Sequence, residues 1–265
     1  MPRLIPFRLV AACALALVLF AAVAVSASAG PKKSPAMDPL VFLRVVGKGG
    51  KVLTEEGLTA TTVAVKTSPK ASCFGAGTAG SGKSVTIKGA TALGALAQAS
   101  KSTAALRPLL ITDAFDFGLG ICGVGSSKVS GKASWYLKVN HKGATVSGDA
   151  VKLKAGDEVL WDLAPSYPYP NELDLEAPDS ADSGVPFQVR VVSYDEKGRA
   201  KPVAGAKIGG AASAVTGADG SATITLSPAT TDYEVLSATH GKDIPAPAAP
   251  VYVCAASPCP VPSTK

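Results

Sequence analysis

Only one stretch of this sequence has the spacing of an amphipathic helix, and almost everything else alternates in short runs between turn residues. Thr91 is a candidate N-cap, Leu93 and Leu96 begin an apolar stripe at helical spacing, and Pro108 ends the segment, which predicts a helix over residues 91–106. Elsewhere, β-branched and aromatic residues alternate with polar ones in strand-length runs between Gly, Pro, Asn and Asp. A chain with this pattern folds into sheets with one main helix, and it fits coiled coils, Rossmann folds and TIM barrels poorly.

The first 29 residues predict export from the cytoplasm. Arg3 and Arg8 form a positively charged start, residues 9–25 are an apolar run, and residues 27–29 (Ala-Ser-Ala) form a small-residue cleavage site. The apolar run is short for a transmembrane helix, which needs about 20 residues, so an uncleaved signal anchor is the alternative interpretation. We therefore expect a signal peptide over residues 1–29 and a secreted or cell-surface protein whose only membrane contact would be such an anchor.

Four cysteines follow the predicted signal peptide: Cys73, Cys122, Cys254 and Cys259. An even number of cysteines in an exported chain predicts disulfide bonds, with three possible connectivities for four residues. The order along the chain favours Cys73–Cys122 and Cys254–Cys259. A zinc site is disfavoured because the chain has no C-x-x-C pair and neither of its two histidines lies near a cysteine.

Composition divides the exported part into two regions. Residues 40–165 carry strands, the helix and more strands, which predicts an α+β domain. Residues 172–254 carry short alternating runs at regular turn spacing, which predicts a small Ig-like β-sandwich. We expect three connecting segments around these domains, namely a linker at 30–39, a hinge at 166–171 and a Pro-rich tail at 255–265.

Two strand motifs in the first region carry a resemblance to a known family. Residues 135–140 (Trp-Tyr-Leu-Lys-Val-Asn) and 155–161 (Ala-Gly-Asp-Glu-Val-Leu-Trp) resemble the bacterial transcobalamin-like C-terminal domain family, and residues 73–75, 89–93 and 117–122 are similar to stretches of its members. The resemblance covers about half of the exported chain and implies a β-grasp-like domain of unknown function. It supplies no catalytic residue, and the vitamin B12 carriers that share the domain imply a cobalamin- or corrinoid-like molecule as an alternative ligand.

The second region resembles a different group of proteins. Residues 202–206 (Pro-Val-Ala-Gly-Ala) and 216–224 (Thr-Gly-Ala-Asp-Gly-Ser-Ala-Thr-Ile) resemble bacterial Ig-like and carboxypeptidase regulatory-like surface modules. Such modules serve as spacers or adhesion units, so this resemblance implies a structural or interaction role.

Residues 77–84 match the G-x-x-x-x-G-K-S pattern of a phosphate-binding loop. That pattern binds nucleotide phosphates only when a helix follows it, because the helix N-terminus must face the phosphates. Here Val85, Thr86 and Ile87 follow, which is a strand-like sequence. We interpret the segment as a flexible Gly/Ser loop and expect no nucleotide or other cofactor.

The sequence shows no nucleophile with an oriented base, so we do not expect an enzyme. His141 and His240 both fall in predicted turns and are interpreted as solvated. Asp157 and Glu158 are interpreted as a turn and the start of a strand rather than as the paired carboxylates of a glycosidase. The acidic residues near the turns of the second region lack the spacing of a calcium loop, so we expect no metal site.

Positive charge is scattered along the chain rather than clustered. Removal of Arg3 and Arg8 with the signal peptide leaves 24 basic against 20 acidic residues. Lysines such as Lys48, Lys128 and Lys138 alternate with apolar residues, which predicts a solvated sheet face. Because no basic block has aromatic neighbours, we expect no nucleic-acid site, while affinity for an anionic envelope surface remains as an alternative that the net charge leaves open.

The aromatic residues of the first region are the best candidates for recognition. Trp135 and Trp161 lie on adjacent predicted strands and are expected to face the same core, which leaves Tyr136 on the opposite, exposed face. With Asn140 at the following turn, these residues form the candidate binding surface.

These observations together predict a non-catalytic binding or interaction protein with an unknown envelope or extracellular partner. The alternative is a protein that binds a small molecule. A pocket lined by Trp or Tyr would favour the small-molecule interpretation, whereas an open strand edge or a flat aromatic patch would favour the interaction module.

Overall fold

Thr91 caps the single α-helix that the described residues contain, α1 (Ala92–Ser102). Its Oγ1 accepts a hydrogen bond from the backbone N–H of Gly94 at 3.0 Å, as an N-cap side chain does. The helix ends earlier than the sequence predicts, because Thr103 is extended and donates from its hydroxyl to Glu56 Oε1 at 3.0 Å. A short 3₁₀ turn takes the place of the last predicted helical turn.

The computed structural model describes residues 37–255 and 258–259, so the predicted signal peptide and most of the linker and tail lie outside the described residues. The fold is α+β and largely β, as the alternating pattern predicts. The first region contains, besides α1, the strands β1 (Leu40–Val46), β2 (Val52–Thr59), β3 (Val63–Lys66), β4 (Ser84–Ile87), β5 (Leu109–Thr112), β6 (Gly120–Val124), β7 (Ser127–Lys128), β8 (Ser134–Val139), β9 (Lys142–Gly143) and β10 (Glu158–Ala164).

Five of these strands form the main sheet, in the order β2-β1-β10-β8-β9. Strands β1 and β10 are parallel, and the other neighbours are antiparallel. Because side chains alternate along a strand, β1 places Val41, Leu43 and Val45 on one face, where they form one apolar core with Leu93 and Leu96 of α1. Two smaller sheets, β3-β4 and β5-β6-β7, contribute to the same core.

The second region is built from two sheets that share an apolar core. Leu173 and Val191 come from one sheet, and Leu236 and Val251 come from the other. The sheet orders are β11-β13-β14, with β17 also paired to β13, and β12-β19-β18-β15-β16. The strands are β11 (Glu172–Glu176), β12 (Ser180–Asp182), β13 (Phe187–Tyr194), β14 (Ala200–Pro202), β15 (Lys207–Gly210), β16 (Ala214–Val215), β17 (Ser221–Ile224), β18 (Asp232–Thr239) and β19 (Ala249–Cys254).

Both predicted disulfide bonds are confirmed, in the pairing that the order along the chain favours. Cys73–Cys122 joins the loop before β4 to β6, and Cys254–Cys259 joins the end of β19 to the tail. Two disulfides indicate an oxidising compartment outside the cytoplasm. Within the part of the chain that the structure describes, no helix has the length and apolar character that a membrane span requires.

The second region covers part of the second face of the main sheet, around Lys138 and Val46, whereas Phe42 on the same face is 52% exposed. Lys138 of β8 is 1% exposed, and its Nζ donates to the backbone oxygen of Tyr194 in β13 at 3.0 Å. Beside it, Val46 and Leu160 pack against Ile244. The prediction that Lys138 lies on a solvated face is therefore wrong, because the alternation of a strand does not show that another part of the chain covers its polar side.

Candidate functional site

Both tryptophans of the chain line one groove of the first region. Trp135 on β8 and Trp161 on β10 lie on adjacent antiparallel strands and pack on the same core, as predicted. Trp161 is buried, and its Nε1 donates to the backbone oxygen of Ala92 at 3.3 Å. Trp135 is half-buried, and its indole N–H has no hydrogen-bond partner among the described residues.

The groove has a volume of about 260 Å³, and six of its fifteen lining residues are aromatic. Besides the two indoles, Phe74 and Phe117 contribute from the loops around β6, and Tyr169 contributes from the predicted hinge. We call this feature the aromatic groove.

Two glycines allow backbone to approach these rings. A Cβ at Gly148 would lie 2.6 Å from the ring of Trp161, and a Cβ at Gly120 would lie 3.1 Å from the ring of Phe74. The shape of the aromatic groove therefore depends on the absence of a side chain at both positions.

Three phenylalanines form an exposed cluster at the aromatic groove. The rings of Phe115 and Phe117 stack with centroids 4.9 Å apart, and Phe74 meets Phe115 edge-on at 5.3 Å. Phe117 is 73% exposed and Phe74 is 47% exposed. The disulfide of Cys73 holds Phe74 beside β6. Adjacent exposed aromatic rings are characteristic of an interaction surface, because soluble monomeric proteins rarely expose contiguous apolar patches.

Two hinge tyrosines extend the aromatic surface on the other side of β8. Tyr169 stacks on Tyr136 at 3.9 Å between centroids, and Tyr167 meets Tyr169 edge-on at 5.6 Å. Tyr136 lies on the opposite face from Trp135, as predicted, but it is only 8% exposed because Tyr169 covers it. Burial, followed by the nearby Glu196, raises the pKa of Tyr136 to about 12. Tyr167 is the exposed ring of this group.

Strand β9 pairs with only part of the outer edge of β8. Among the described residues the only strand paired with that edge is β9, which lies opposite Lys138 and Val139. The pairing continues for one more residue, because the Ala144 N–H donates to the backbone oxygen of Leu137 at 2.9 Å. Since backbone groups alternate between the two edges of a strand, the N–H and C=O of Trp135 point to the same side as those of Leu137. That side is the groove.

Asn140 has a structural role and does not belong to the aromatic groove. Asn140 and His141 form the hairpin turn between β8 and β9 with φ of 50° and 66°. The Asn140 Nδ2 donates to Asp157 Oδ1 at 2.9 Å, and its Oδ1 accepts from the backbone N–H of Glu158 at 2.9 Å. These bonds tie the hairpin to the turn before β10, so the expectation that Asn140 shares a surface with Trp135 is not supported by its placement.

His141 is not the solvated turn histidine that the sequence predicts. Its ring stacks on Tyr194 of the second region with centroids 3.8 Å apart and an interplanar angle of 4°. Its Nδ1 lies 3.2 Å from Glu172 Oε2, and this contact raises the pKa of His141 although partial burial acts against it. The turn position was predictable, but the partners come from a region distant in sequence. His240 does lie in a turn, with Nδ1 2.9 Å from Asp243 Oδ2.

A buried charge network joins the two regions where His141 meets them. The Lys138 Nζ lies 3.6 Å from Glu172 Oε2, and burial lowers the pKa of Lys138. Burial alone would raise the pKa of Glu172, but His141, Arg44 and Lys138 together lower it. Arg44 is also buried, with Nε 4.0 Å from Glu55 Oε1. The network places buried charges of both signs at the boundary between the two regions, and the three guanidinium nitrogens of Arg44 have no hydrogen-bond partner among the described residues.

The phosphate-loop match is not a nucleotide site, because strand β4 and not a helix follows it. Ser81 within the loop donates from its backbone N–H to Asp113 Oδ1 at 2.7 Å, and its hydroxyl donates to the other oxygen of that carboxylate. These bonds lower the pKa of Asp113 and hold the loop against the end of β5.

Metal binding finds no support in the described part of the chain, where no three His, Cys, Asp or Glu side chains converge on one point. No protein-family model, no curated protein and no solved structure matches the chain.

Proposed function

We propose that the protein is an exported, non-catalytic binding protein that holds an extended polypeptide segment of its partner in the aromatic groove. The observation that carries this proposal is the convergence of Trp135, Trp161 and the exposed Phe117 beside the part of the outer β8 edge, at Trp135, that β9 leaves without a partner strand. A β-grasp-like first domain would present the groove, and an Ig-like second domain would act as the spacer that the resemblances imply.

The unpaired edge favours a polypeptide over a small molecule. An extended segment that adds to a strand edge gains main-chain hydrogen bonds, and pockets beside the edge select its alternate side chains. The backbone N–H and C=O of Trp135 supply the first requirement, and the rings of Phe74, Phe117 and Tyr169 supply the second. The partner segment would therefore carry apolar or aromatic residues at alternate positions.

A small-molecule ligand of corrinoid type is the second candidate, and the two indoles are the observation that favours it. The volume of the aromatic groove argues against such a ligand. Ligand sites for drug-sized molecules have volumes of about 300–1,000 Å³, whereas the aromatic groove has about 260 Å³ and is open on one side.

The non-catalytic part of the proposal is supported by where the charged groups lie. Lys138, Glu172 and His141 contact one another at the boundary between the regions, and none of these contacts includes a serine or cysteine nucleophile. The groove itself is lined by aromatic, aliphatic and small residues and by no charged side chain, and its hydroxyls belong to Ser134, Ser147, Tyr136 and Tyr169.

Selection from a phage-displayed library of linear peptides tests the proposal. We expect enriched peptides with alternating apolar residues, and we expect Phe117→Ser to weaken their binding about tenfold or more, because it removes an exposed aromatic ring of a type that is enriched at interface cores. Tyr233→Ser is the matched control, since Tyr233 is an exposed ring of the second region at 57% exposure.

The mode of binding is tested with the same peptides. N-methylation at every second residue removes the main-chain donors of one edge, so one of the two methylation registers should abolish binding if the peptide adds to β8. If neither register matters, and cyanocobalamin instead stabilises the protein in a thermal-shift titration that Phe117→Ser abolishes, the small-molecule candidate replaces the polypeptide. If neither probe binds, or if Phe117→Ser and Tyr233→Ser behave alike, the aromatic groove is not the binding site.

A further inference from the structure

A second cleft lies between the two regions, and lysines rather than aromatic rings line it. It has a volume of about 440 Å³. One wall comes from the 3₁₀ segment Lys48–Gly50, β7 and the end of β10, and the other comes from the turn after β18. We call it the basic cleft, because Lys48, Lys128 and Lys242 line it.

The three lysines of the basic cleft are not neutralised by the acids around them. None of the three takes part in an ion pair among the described residues, and all three are exposed. Of the two acids that line the cleft, Asp243 is engaged with the ring of His240 at 2.9 Å. The remaining acid is Asp162.

The neighbouring cleft is lined mainly by acidic side chains, so the positive charge is confined to the basic cleft. The other cleft between the regions, of about 410 Å³, is lined by five acids against one arginine and one histidine. Lysines therefore do not dominate the boundary as a whole. Three unpaired lysines on one cleft leave a positive field that attracts an anion.

Asp162 gives the basic cleft a second polar feature besides the lysines. It is 4% exposed, and its Oδ2 has no hydrogen-bond partner among the described residues. A buried oxygen without a partner is costly, so either a proton or a ligand is expected to satisfy it. The titratable and charged groups that face Asp162 are Arg44 of β1, Tyr136 and Lys138 of β8 and Glu172 of β11, with Lys48, Lys128, Lys242, His240 and Asp243 around the cleft.

The protonation of Asp162 decides what it can do in the cleft. Burial, which Arg44 and Lys138 offset only in part, raises the pKa of Asp162 to about 7. Below that pH the side chain is a neutral carboxylic acid that donates a hydrogen bond, and above it the side chain is a carboxylate that repels an anion.

We propose that the basic cleft binds a phosphate-bearing anion of small size, with Lys48, Lys128 and Lys242 as its counter-charges and Asp162 as a hydrogen-bond donor. A phosphate group suits this arrangement because its oxygens can accept from several separate ammonium groups at once, and lysine binds phosphate as a point charge. The volume leaves room for a glycerol- or sugar-sized group beside the phosphate. Both a free phosphate ester and a phospholipid headgroup have this chemistry.

Calorimetric titration of the protein that starts at residue 30 tests the site with glycerol 1-phosphate, with inorganic phosphate, and with uncharged glycerol as the blank. Vesicles of phosphatidylglycerol test the headgroup source in a sedimentation assay. We expect the triple variant Lys48→Gln/Lys128→Gln/Lys242→Gln to bind glycerol 1-phosphate or the vesicles at least about tenfold more weakly, which corresponds to about 1.4 kcal/mol. The matched control is Lys70→Gln/Lys101→Gln/Lys207→Gln, which removes the same charge from exposed lysines elsewhere.

The pH dependence tests the part played by Asp162, with sulfate as the probe because sulfate does not titrate in this range. Measurements in a His240→Asn background remove the imidazole that lines the cleft. We expect sulfate affinity to fall about tenfold between about pH 6 and about pH 8.5, and we expect Asp162→Asn, which keeps a donor and loses the charge, to bind equally well at both.

Three results would overturn the proposal. The first is an equal loss in the cleft triple variant and its control, which would mean that net charge alone attracts the anion. The second is a pH dependence that Asp162→Asn does not change. The third is binding of glycerol as tight as that of glycerol 1-phosphate. Because these readouts use neither peptides nor Phe117, their failure leaves the aromatic groove unaffected.

Discussion

The ammonium group of Lys138 lies 3.6 Å from the carboxylate of Glu172, although the two residues belong to different regions of the chain and both are almost fully buried. The same Nζ donates to the backbone oxygen of Tyr194 at 3.0 Å, and Glu172 also contacts His141. This contact places the polar face of the main sheet at the boundary between the two regions. The backbone N–H of Gly143, which donates to Glu196 O at 2.9 Å, and the packing of Val46 and Leu160 on Ile244 join the regions at the same boundary.

Replacement of Lys138 is expected to destabilise the protein strongly. In Lys138→Met, Glu172 keeps its charge in a buried position and loses its ammonium partner but keeps the contact with His141 at 3.2 Å. Because that contact still compensates part of the charge, we expect a loss at the lower end of the about 3–5 kcal/mol that breaking a buried pair costs. Urea denaturation followed by circular dichroism measures the change. Arg190→Ala is the control, since Arg190 pairs with Glu176 at 3.6 Å on the surface and such a pair contributes only about 0–1 kcal/mol. Equal losses in the two variants would contradict the structural role given to Lys138.

Asp162 is expected to make the protein less stable as the pH rises. Its folded-state pKa of about 7 lies above the ordinary value of 3.8, so the native state holds the proton more tightly than the unfolded state does. Stability from this group is therefore fully present below about pH 4 and is lost as the pH rises toward about 7. Asp162→Asn does not titrate and therefore lacks this loss of stability. The free energy of unfolding of the variant, relative to that of the wild type, should rise by on the order of 3 kcal/mol between about pH 4 and pH 8. Parallel pH profiles for the two proteins would be incompatible with a buried, proton-binding Asp162.

Gly148 is expected to tolerate no side chain. A Cβ there would lie 2.6 Å from the ring of Trp161 and would force the indole or the backbone to move, which costs about 1–3 kcal/mol in a packed site. Thermal denaturation of Gly148→Ala measures the cost, and a change in the tryptophan emission of the folded variant reports the displaced ring. Gly57→Ala is the matched control because its Cβ would meet Phe42 at an ordinary 3.7 Å. A Gly148→Ala protein as stable as Gly57→Ala would contradict the close contact between the Gly148 backbone and the Trp161 ring.

The two disulfides are expected to contribute unequally. Cys73–Cys122 closes a separation of 49 residues and Cys254–Cys259 closes one of 5 residues. Chain entropy then predicts losses of about 4 and about 2 kcal/mol for the two double Cys→Ser variants. Only the first pair holds Phe74, so only its removal should also weaken peptide binding at the aromatic groove. Guanidinium denaturation and peptide titration of both variants check the two statements, and the reverse order of stabilities would contradict the first of them.

Local patterns were sufficient for the features that depend on neighbours in the chain. The N-cap Thr91, the turn at Asn140 and the shared face of Trp135 and Trp161 follow from capping chemistry, turn residues and strand alternation. The cysteine pairing also followed from order along the chain.

Features that depend on contacts between the regions could not be predicted in this way. The alternation of β8 assigns Lys138 to the polar face, but it does not show that β11 and β13 cover that face. The same limit explains His141, whose partners Glu172 and Tyr194 lie far along the chain. The aromatic groove was predicted only in part, because Phe117 and Tyr169 come from loops that have no periodic pattern. The aromatic character of the loop and of the Tyr- and Pro-rich hinge was the available signal.

The aromatic groove is tested most directly by the emission of Trp135 alone. In Trp161→Phe, Trp135 is the single tryptophan of the chain and lines the groove. Titration with a library-selected peptide should shift its emission to shorter wavelength with a midpoint equal to the calorimetric Kd, because the peptide excludes water from the half-buried indole. Calorimetric binding of that peptide with no change in Trp135 emission would place the binding surface elsewhere and contradict the account.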